Sequence, residues 1–321
     1  MRKTIQKLVA IAAFSLATFT FAADTIKIAH IDPMSGPFGL AGQTLGKHFD
    51  AIVENLNAKG GVLGNTKFEV SHFDNKASAQ ESVTLLQQII DSGTRFVVQG
   101  GGSNVAHALS DTLAKHNSRN PDKAVLYLNF AAQDPALTNE KCNFWHFRFD
   151  AHVDMKLDAI TNHIARNKNI KKVYLINQDY AFGQAISKAA REMVLKKRPD
   201  IQIVGDDLHP MGKVKDFSPY ISKIKASGTE TVITGNWGTD FSLLIKSSKE
   251  FGLDVTYYTL NAQNAGAPKS IGAAGADNIK NVSAWHSNAA ENKAEKFAND
   301  YRKKYKDDFY YATSKTALEM L

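Results

Sequence analysis

The chain has 321 residues, of which 43% are hydrophobic, and a formal net charge of +7. This length predicts about two domains, and the hydrophobic content excludes a disordered chain. Three of the basic residues lie in the first 22 positions, and the remaining charge of +4 is too small to indicate nucleic acid or a membrane as a partner.

The first 23 residues have the pattern of a secretory signal peptide. Three basic residues precede an apolar run at 8–21, and Thr20-Phe21-Ala22 supplies a small-residue site for cleavage after Ala22 or Ala23. The apolar run is shorter than the ~20 residues of a membrane-spanning helix, so we interpret it as a cleaved export signal rather than an anchor. The mature protein is therefore expected in the periplasm.

Short β-branched or aromatic runs alternate with amphipathic helical stretches along the rest of the chain. The predicted strands are Ile26–Ile31, Phe68–Phe73, Arg95–Gln99, Val125–Phe130, Trp145–Phe149, Lys172–Ile176, Gln202–Asp206, Thr231–Thr234, Val255–Leu260 and Val282–Trp285. Apolar spacings of three and four, as at Phe49, Ile52 and Val53, indicate helices with one buried face. The alternation predicts an α/β fold with parallel sheets covered by helices.

Ten strands exceed one small sheet, so we expect two doubly wound parallel-sheet lobes joined by short crossings. The pattern restarts after Phe149, which places the first lobe at 24–147 and 284–321 and the second at 148–283. The crossings are predicted near Phe147–Ala151 and Asn281–His286, an arrangement suited to hinge motion. The helical pattern from Ala312 ends at Leu321 without a cap, so we expect the natural chain to continue further.

Cys142 is the only cysteine, so no intrachain disulfide can form. Its neighbours Phe144 and Trp145 are aromatic, and we expect a buried, unreactive thiol at this position.

A glycine run, Gly100–Gly102, follows the third predicted strand and opens a helix. It approximates a dinucleotide-binding fingerprint, but Val105 stands where the third glycine or alanine belongs, and the run does not follow the first strand. Nucleotide binding is therefore disfavoured. Two interpretations stay open: Ser103 and Asn104 simply cap the helix, or the helix N-terminus binds an anion such as a carboxylate.

Other chemical motifs are missing from the sequence. The segment Gly42–Lys47 is one residue too short for a phosphate-binding loop, and His48 replaces the hydroxyl residue that would hold magnesium. The ten histidines show no metal-site spacing, and no Gly-x-Ser-x-Gly elbow occurs. We therefore predict no cofactor, no metal and no catalytic residue.

Ligands of open α/β sheets bind at the carboxyl ends of the strands, so the loops at those ends are the candidate site. These loops are Pro33–Phe38, Gly102–Asn104, Asn129–Pro135, Asn177–Gly183, Gly235–Gly238 and Asn261–Asn264. The first-lobe loops offer hydroxyls and backbone amides, and the second-lobe loops offer aromatics and side-chain amides. This division predicts a small ligand with a polar head and an apolar or flat body, clamped between the lobes.

The chain resembles the periplasmic substrate-binding proteins of branched-chain amino acid ABC transporters. The matching segments are Met34–Pro37, Ile52–Gly64, Asp74, Gly102-Ser103, Ala131–Thr138, Phe147-Arg148, Phe182-Gly183 and Asp216–Ser218, in the family's order. The resemblance implies the type I periplasmic binding fold, with three hinge crossings and closure on the ligand. It also implies a monomer that delivers its ligand to a membrane permease.

The resemblance also implies roles for individual residues. In the first lobe, Ser103 and its helix N-terminus would grip the ligand's carboxylate, with help from Ala131 and Gln133. In the second lobe, Phe182 and Trp237 would pack on the ligand. The other candidate ligand-binding residues are Phe38, Asn104, Ala132, Tyr180, Asn261 and, near the ligand's apolar side chain, Tyr310.

Three departures leave the ligand open. Amino acid binders of the family place an acidic residue where Asn261–Asn264 stands, and a neutral amide cannot neutralise a buried ammonium group. Asp179 or Asp240 are the possible substitutes. Ala41 replaces a first-lobe aromatic and enlarges the pocket, and Gln133 replaces a small hydroxyl residue. The ligand is therefore a branched-chain amino acid or a carboxylate or amide without an ammonium group, including an aromatic acid.

The predicted function is that of the extracytoplasmic solute-binding component of an ABC importer. A ligand-binding sensory domain of a receptor is the alternative, and it would require a membrane segment or signalling domain downstream. An exported enzyme on the same scaffold is a third class, and it would require a nucleophile–base pair or a metal site in the cleft.

Overall fold

The computed structural model describes residues 25–275, 277–286, 295–307 and 312–321. The predicted signal peptide at 1–23 and the candidate contact Tyr310 lie outside these residues. Within them, two five-stranded parallel sheets are flanked by helices, which confirms the predicted α/β class.

The first sheet is built from the N-terminal half of the chain. Its strands are β1 (Thr25–Asp32), β2 (Lys67–Asp74), β3 (Phe96–Gln99), β4 (Leu126–Asn129) and β5 (His146–Arg148). The helices between them are α1 (Gly39–Ala58), α2 (Ala79–Asp91) and α3 (Ser103–Arg119). The strand order is β2-β1-β3-β4-β5, with every neighbouring pair parallel.

The second sheet repeats the plan. Its strands are β6 (Lys172–Gln178), β7 (Gln202–His209), β8 (Thr231–Thr234), β9 (Thr256–Thr259) and β10 (Ile279–Asn281). Its helices are α4 (Val153–Arg166), α5 (Ala181–Lys197), α6 (Ser218–Ser227), α7 (Gly238–Glu250) and α8 (Ala267–Ile271). The order is β7-β6-β8-β9-β10, again parallel.

Both sheets therefore have the doubly wound order 2-1-3-4-5, counted within each sheet. In such a sheet, successive connections leave in opposite directions on either side of the first strand, and this opens a crevice at the carboxyl ends. The crevices lie between β1 and β3 in the first sheet and between β6 and β8 in the second. The fold thus predicts which loops form a binding cleft.

The helices form where a capping residue at the N-terminus is followed by apolar residues that share one buried face, as α2 shows. Ser78 caps α2, since its hydroxyl accepts the amide of Glu81 at 3.2 Å. The same helix buries Leu86, Ile89 and Ile90 against the first sheet at exposures of 8% or less. Burial of such side chains contributes roughly 1.5–3 kcal/mol each.

Two C-terminal helices, α9 (Glu295–Tyr305) and α10 (Ala312–Glu319), return to the first sheet. Ala317 and Leu318 are buried in one cluster with Ile28 and Phe49, against α1 and β1. The Thr313 hydroxyl donates to the carbonyl of Phe130, a residue 183 positions earlier.

Two sequence-based expectations are wrong. The last strand lies at Ile279–Asn281 rather than Val282–Trp285, because its partner β9 ends at Thr259 and Val282 makes the final bond of the ladder. Cys142 is exposed rather than buried. It lies in a surface turn where the ring of Phe144 is 78% exposed and packs only edge-on against Trp145.

Candidate functional site

A cleft lies between the two sheets of the described chain. It encloses about 600 Å³ of empty space, including open solvent at its mouth, a size typical of small-molecule sites. Loops from the carboxyl ends of both sheets line it. The lining residues are Asp32, Pro33, Ala41, Gly42, Leu45, Gly100–Ser103, Phe130–Gln133, Tyr180, Phe182, Trp237, Asn261, Asn264 and Ala265.

The glycine run forms the first-lobe wall because side chains would not fit there. A Cβ on Gly101 would lie 2.6 Å from the Asp32 carboxylate, and Gly102 has a φ of +96°, which favours glycine. The amide of Gly101 donates to Asp32 Oδ1 at 2.6 Å, and the amide of Gly100 approaches the same oxygen at 3.4 Å. The backbone of the glycine run therefore lies close to the end of β1.

Ser103 begins α3 and is 1% exposed, with its side chain on the cleft wall. Its hydroxyl oxygen accepts the amide of Asp134 at 3.2 Å, which leaves the hydroxyl proton available to donate. The first amides of a helix have no intrahelical acceptor, and the helix dipole favours negative charge there. This corner of the cleft can therefore hold an anionic or acceptor group without a cationic side chain.

The loop after β4 supplies the adjoining wall, and Ala131, Ala132 and Gln133 all line the cleft. Gln133 is 4% exposed, and its Oε1 is buried with no hydrogen-bond partner among the described residues. A buried acceptor without a donor costs roughly 1–3 kcal/mol, so this oxygen favours a ligand that brings an N–H or O–H group. Asn104 does not line the cleft; its Oδ1 is buried beside Gly102 and is also unpartnered in the described structure.

Three aromatic residues form the second-lobe wall. The Trp237 indole donates to the Tyr180 hydroxyl at 2.8 Å, and the Phe182 ring lies 6.0 Å from that of Tyr180 between centroids. Burial raises the pKa of the Tyr180 phenol, so the group stays neutral and keeps its own proton to donate. This wall offers flat apolar surface together with one hydroxyl.

Asn261 lines the cleft, but its amide mainly braces the second lobe. Its Nδ2 donates to the carbonyl of Gly235 at 2.7 Å, and its Oδ1 accepts from Asn264 at 2.9 Å. Neither carboxylate considered as a substitute for the missing acid lines the cleft. Asp179 is exposed, and Asp240 is buried where it accepts from Gln178 and the amide of Gly212, each at 2.7 Å.

Phe38 closes the rim of the cleft rather than lining it. Its ring packs on Trp237 of the other lobe at 4.2 Å between centroids and is 4% exposed. Gly238 admits this ring, since a Cβ there would lie 2.5 Å from Phe38. Nearby, the Thr239 hydroxyl donates to the carbonyl of Pro37 at 2.7 Å. The two lobes therefore touch at this edge.

Several lining residues were missed by the sequence analysis, Asp32 above all. Its place at the last residue of β1 was a usable signal, since a polar residue there faces the carboxyl-end crevice. Phe130 and Leu45 looked like ordinary core residues, and Ala265 carries no chemical signal. Ala41 does line the cleft, where the enlarged pocket was expected.

The described part of the chain holds no group of three or more His, Cys, Asp and Glu side chains placed to bind a metal ion. Among those same residues, no helix combines the length and apolar character that a membrane crossing requires.

Comparison with known proteins identifies relatives with the same architecture. The Leu/Ile/Val-binding protein homolog 4 of Brucella abortus (strain 2308) is 33% identical over 303 residues, covering 93% of this chain and 71% of that protein. The crystal structure of a leucine-, isoleucine-, valine-, threonine- and alanine-binding protein from Brucella ovis, in its closed conformation, is 29% identical. It superposes with a TM-score of 0.77 over 92% of this chain and 76% of that one.

A more distant structure shows the same fold. A solute-binding protein of an ABC transporter from R. palustris, in complex with benzoate, is 17% identical with a TM-score of 0.77, covering 88% of this chain and 75% of that one. The sequence profile of the periplasmic binding proteins matches residues 25–319. The chain therefore belongs to the periplasmic binding protein family, whose relatives here are type I solute-binding proteins.

Proposed function

We propose that this protein is the solute-binding component of an ABC importer and that it binds a small carboxylate in the cleft between its lobes. One observation carries the proposal: a single cleft is lined by the N-terminus of α3 in one lobe and by Trp237 in the other. A ligand that contacts both lobes stabilises their approach, since it binds the closed arrangement better than the open one.

The polar end of the ligand is assigned to the first lobe. Ser103 and the α3 N-terminus provide hydrogen-bond donors without a fixed cation, which suits a carboxylate. The apolar or aromatic body then lies between Phe182, Tyr180 and Trp237. The unpartnered Oε1 of Gln133 calls for a ligand donor such as a hydroxyl, amide or ammonium group.

The choice between an amino acid and a carboxylate without an ammonium group depends on charge. Among the described residues that line the cleft, Asp32 is the only charged side chain, and both of its oxygens already accept hydrogen bonds from the protein. The side chain of Asn261 is already occupied, since its Oδ1 accepts from Asn264 and its Nδ2 donates to Gly235. This arrangement favours an aromatic or aliphatic carboxylate with a neutral donor, and a branched-chain amino acid is the second candidate.

A ligand screen tests the proposal. The purified protein is titrated calorimetrically with leucine, valine, isoleucine, benzoate, 4-hydroxybenzoate and small amides. At least one should bind, and Ser103→Ala should weaken that binding about five- to tenfold through loss of one hydrogen bond. Trp237→Ala should weaken it further. Ser118→Ala, at an exposed position of the same helix, is the matched control and should bind normally. Normal affinity in both cleft variants would place the ligand elsewhere.

Delivery of the ligand to a membrane permease and a periplasmic location complete the proposal. The family is one of extracytoplasmic solute-binding proteins, which supports both. Uptake of labelled ligand by cells, lost on deletion of this protein and restored by its expression, tests the transport role. Binding without any effect on uptake would favour the sensory alternative.

A further inference from the structure

Four side chains form a hydrogen-bonded line from the cleft to the protein surface; we call them the histidine relay (Asp32, His30, His72 and Asp50). His30 Nε2 lies 2.8 Å from Asp32 Oδ2, and the two histidines approach Nδ1 to Nδ1 at 3.0 Å. His72 Nε2 lies 3.0 Å from Asp50 Oδ1. Asp32 and His30 are fully buried, whereas His72 and Asp50 are 27% and 46% exposed.

The three contacts of the relay require three protons. Ionised carboxylates contribute none, and two neutral imidazoles contribute one each. If each imidazole donates through Nε2 to its carboxylate, two lone pairs face each other across 3.0 Å between His30 and His72. One additional proton converts that contact into a hydrogen bond, and a second would bring two N–H groups into collision. The geometry therefore matches a histidine pair that holds one extra proton.

The charge of that proton belongs on the outer histidine. Burial lowers the pKa of His30, which keeps the inner imidazole neutral. His72 is partly exposed and sits beside the solvated Asp50, so it can hold the positive charge and exchange it with water. The relay then carries one net negative charge when protonated and two when it is not.

The inner end of the relay reaches the wall of the cleft. Asp32 Oδ2 faces His30, and its other oxygen accepts the amides of Gly101 and Gly100. These glycines precede Ser103 and set the position of the α3 N-terminus in the cleft. A change in the charge balance or orientation of Asp32 would therefore act on the backbone that receives the ligand.

Few other titratable groups face the buried half of the relay in the described structure. His30 packs against the rings of Phe49 on α1 and Phe130 after β4, with centroids 4.6 and 6.1 Å away. The charge of Asp32 acts on Tyr127 of β4, whose hydroxyl donates to Gln99, but burial raises the pKa of Tyr127 well above the usual value, so it stays neutral. From β3, the neighbour of His30 is the apolar Val98.

Around the exposed half, the nearby charges are already paired or neutral. The charge of Asp50 acts weakly on Tyr305 of α9, and burial raises the pKa of Tyr305. Lys304 on the same helix pairs with Glu54 on α1. His72 is therefore the histidine of the relay that reaches solvent.

We propose that the histidine relay holds one proton that braces the Gly100–Ser103 loop, which makes His72 a positioning residue through which pH controls ligand binding. When the pH rises through the titration of the pair, the hydrogen bond between His30 and His72 is lost and the net charge of the relay changes from one negative charge to two. The ligand's carboxylate would then meet both a looser loop and a more negative wall. The link to affinity rests on the proposed function, whereas the proton in the relay does not.

The first experiment needs no ligand. Imidazole nitrogens of the ligand-free protein are followed by NMR from pH 5 to 9, together with the backbone amides of Gly100 and Gly101. His30 and His72 should titrate as a coupled pair that loses one proton, and both glycine amides should shift with the same midpoint. His72→Gln should remove that inflection, whereas His163→Gln, at an exposed site on α4, should leave it. Glycine amides that show no inflection would overturn the proposal.

The second experiment links the relay to the cleft. Benzoate and leucine are titrated calorimetrically at one pH on each side of the NMR midpoint. The affinity of the probe that binds should fall roughly tenfold on the alkaline side, a coupling of ordinary size. His72→Gln should abolish the pH dependence while retaining binding. An equal pH dependence in the variant would overturn the role of His72. If neither probe binds, the proposed ligand class fails, and the NMR titration alone decides the relay.

Discussion

The rings of Phe38 and Trp237 stack at 4.2 Å between centroids across the boundary of the two lobes. Trp237 also lines the cleft and donates its indole N–H to Tyr180. Contact between the lobes and contact with the ligand thus share one side chain. A ligand held against Trp237 would also fix the position at which Phe38 docks.

Phe38→Ala is therefore expected to weaken ligand binding although Phe38 does not line the cleft. Loss of this aromatic pair removes roughly 1 kcal/mol or more of stabilisation from the arrangement in which the lobes touch, which corresponds to about fivefold or more in affinity. Calorimetry with the ligand found by screening measures this change. Phe144→Ala, which truncates a ring that is 78% exposed, should have no effect. Equal affinities in the two variants would show that the lobes do not depend on the Phe38 contact.

Gly101→Ala tests the close approach of the glycine run to β1. The added Cβ would lie 2.6 Å from Asp32 Oδ1 and 2.9 Å from Pro33 Cδ, so the loop must shift. We expect about 1–3 kcal/mol loss of unfolding free energy by urea titration and at least tenfold weaker ligand binding. Gly46→Ala is the control, because its Cβ would meet its nearest neighbour at an ordinary 3.6 Å. If Gly101→Ala behaves like that control, the run has no special packing role.

The buried ion pair between Asp150 and Lys156 lies where the chain passes from β5 to α4. Its N–O distance is 2.7 Å, and burial lowers the pKa of the Lys156 ammonium. Lys156→Met should destabilise the protein by about 3 kcal/mol, because the buried Asp150 carboxylate would lose the ammonium group that lies against it. The double variant Asp150→Leu/Lys156→Met should recover much of that loss. Urea unfolding of the wild type, the single variants Asp150→Leu and Lys156→Met, and the double variant gives the coupling energy between the two residues. Additive losses of unfolding free energy would contradict a strong pair.

Acid should destabilise the fold through two buried histidines. Burial lowers the pKa of His48 to about 3 and that of His146 to about 4. These histidines take up protons near pH 6.5 in the unfolded chain but not in the folded chain. Their contribution to the free energy of unfolding is therefore fully present above pH 6.5 and is lost as the pH falls toward the folded-state pKa values. Each of the two histidines should lower the free energy of unfolding by about 2 kcal/mol between pH 7 and pH 5. Urea titrations of His48→Gln should show a shallower pH dependence, and an unchanged slope would contradict this origin.

The exposure of Cys142 predicts a reactive thiol in the native state. A disulfide reagent such as DTNB should label one thiol per chain without denaturant, and Cys142→Ser should abolish the signal. Labelling that requires urea would mean that the turn around Cys142 shields its sulfur.

The local pattern of the chain was enough to predict nine of the ten strand positions, because β-branched runs and helical spacing are properties of neighbouring residues. The exception, Val282–Trp285, failed because a strand extends only as far as its partner. Candidate residues such as Ser103, Gln133 and Trp237 were placed by the rule that parallel strands end at a common edge. Whether they bind the ligand stays a prediction.

The sequence by itself determined the α/β class, the two sheets and the loops that face the cleft, since each follows from local periodicity and chain order. Only the tertiary structure decided that Asp32 braces the glycine run, that His30 meets His72, and that Phe38 docks on Trp237. His30 and His72 are 42 positions apart, and Phe38 and Trp237 are 199 positions apart. Nothing in the local sequence encodes such pairings. They arise because packing the sheets and helices brings distant side chains into one place and removes water from around them.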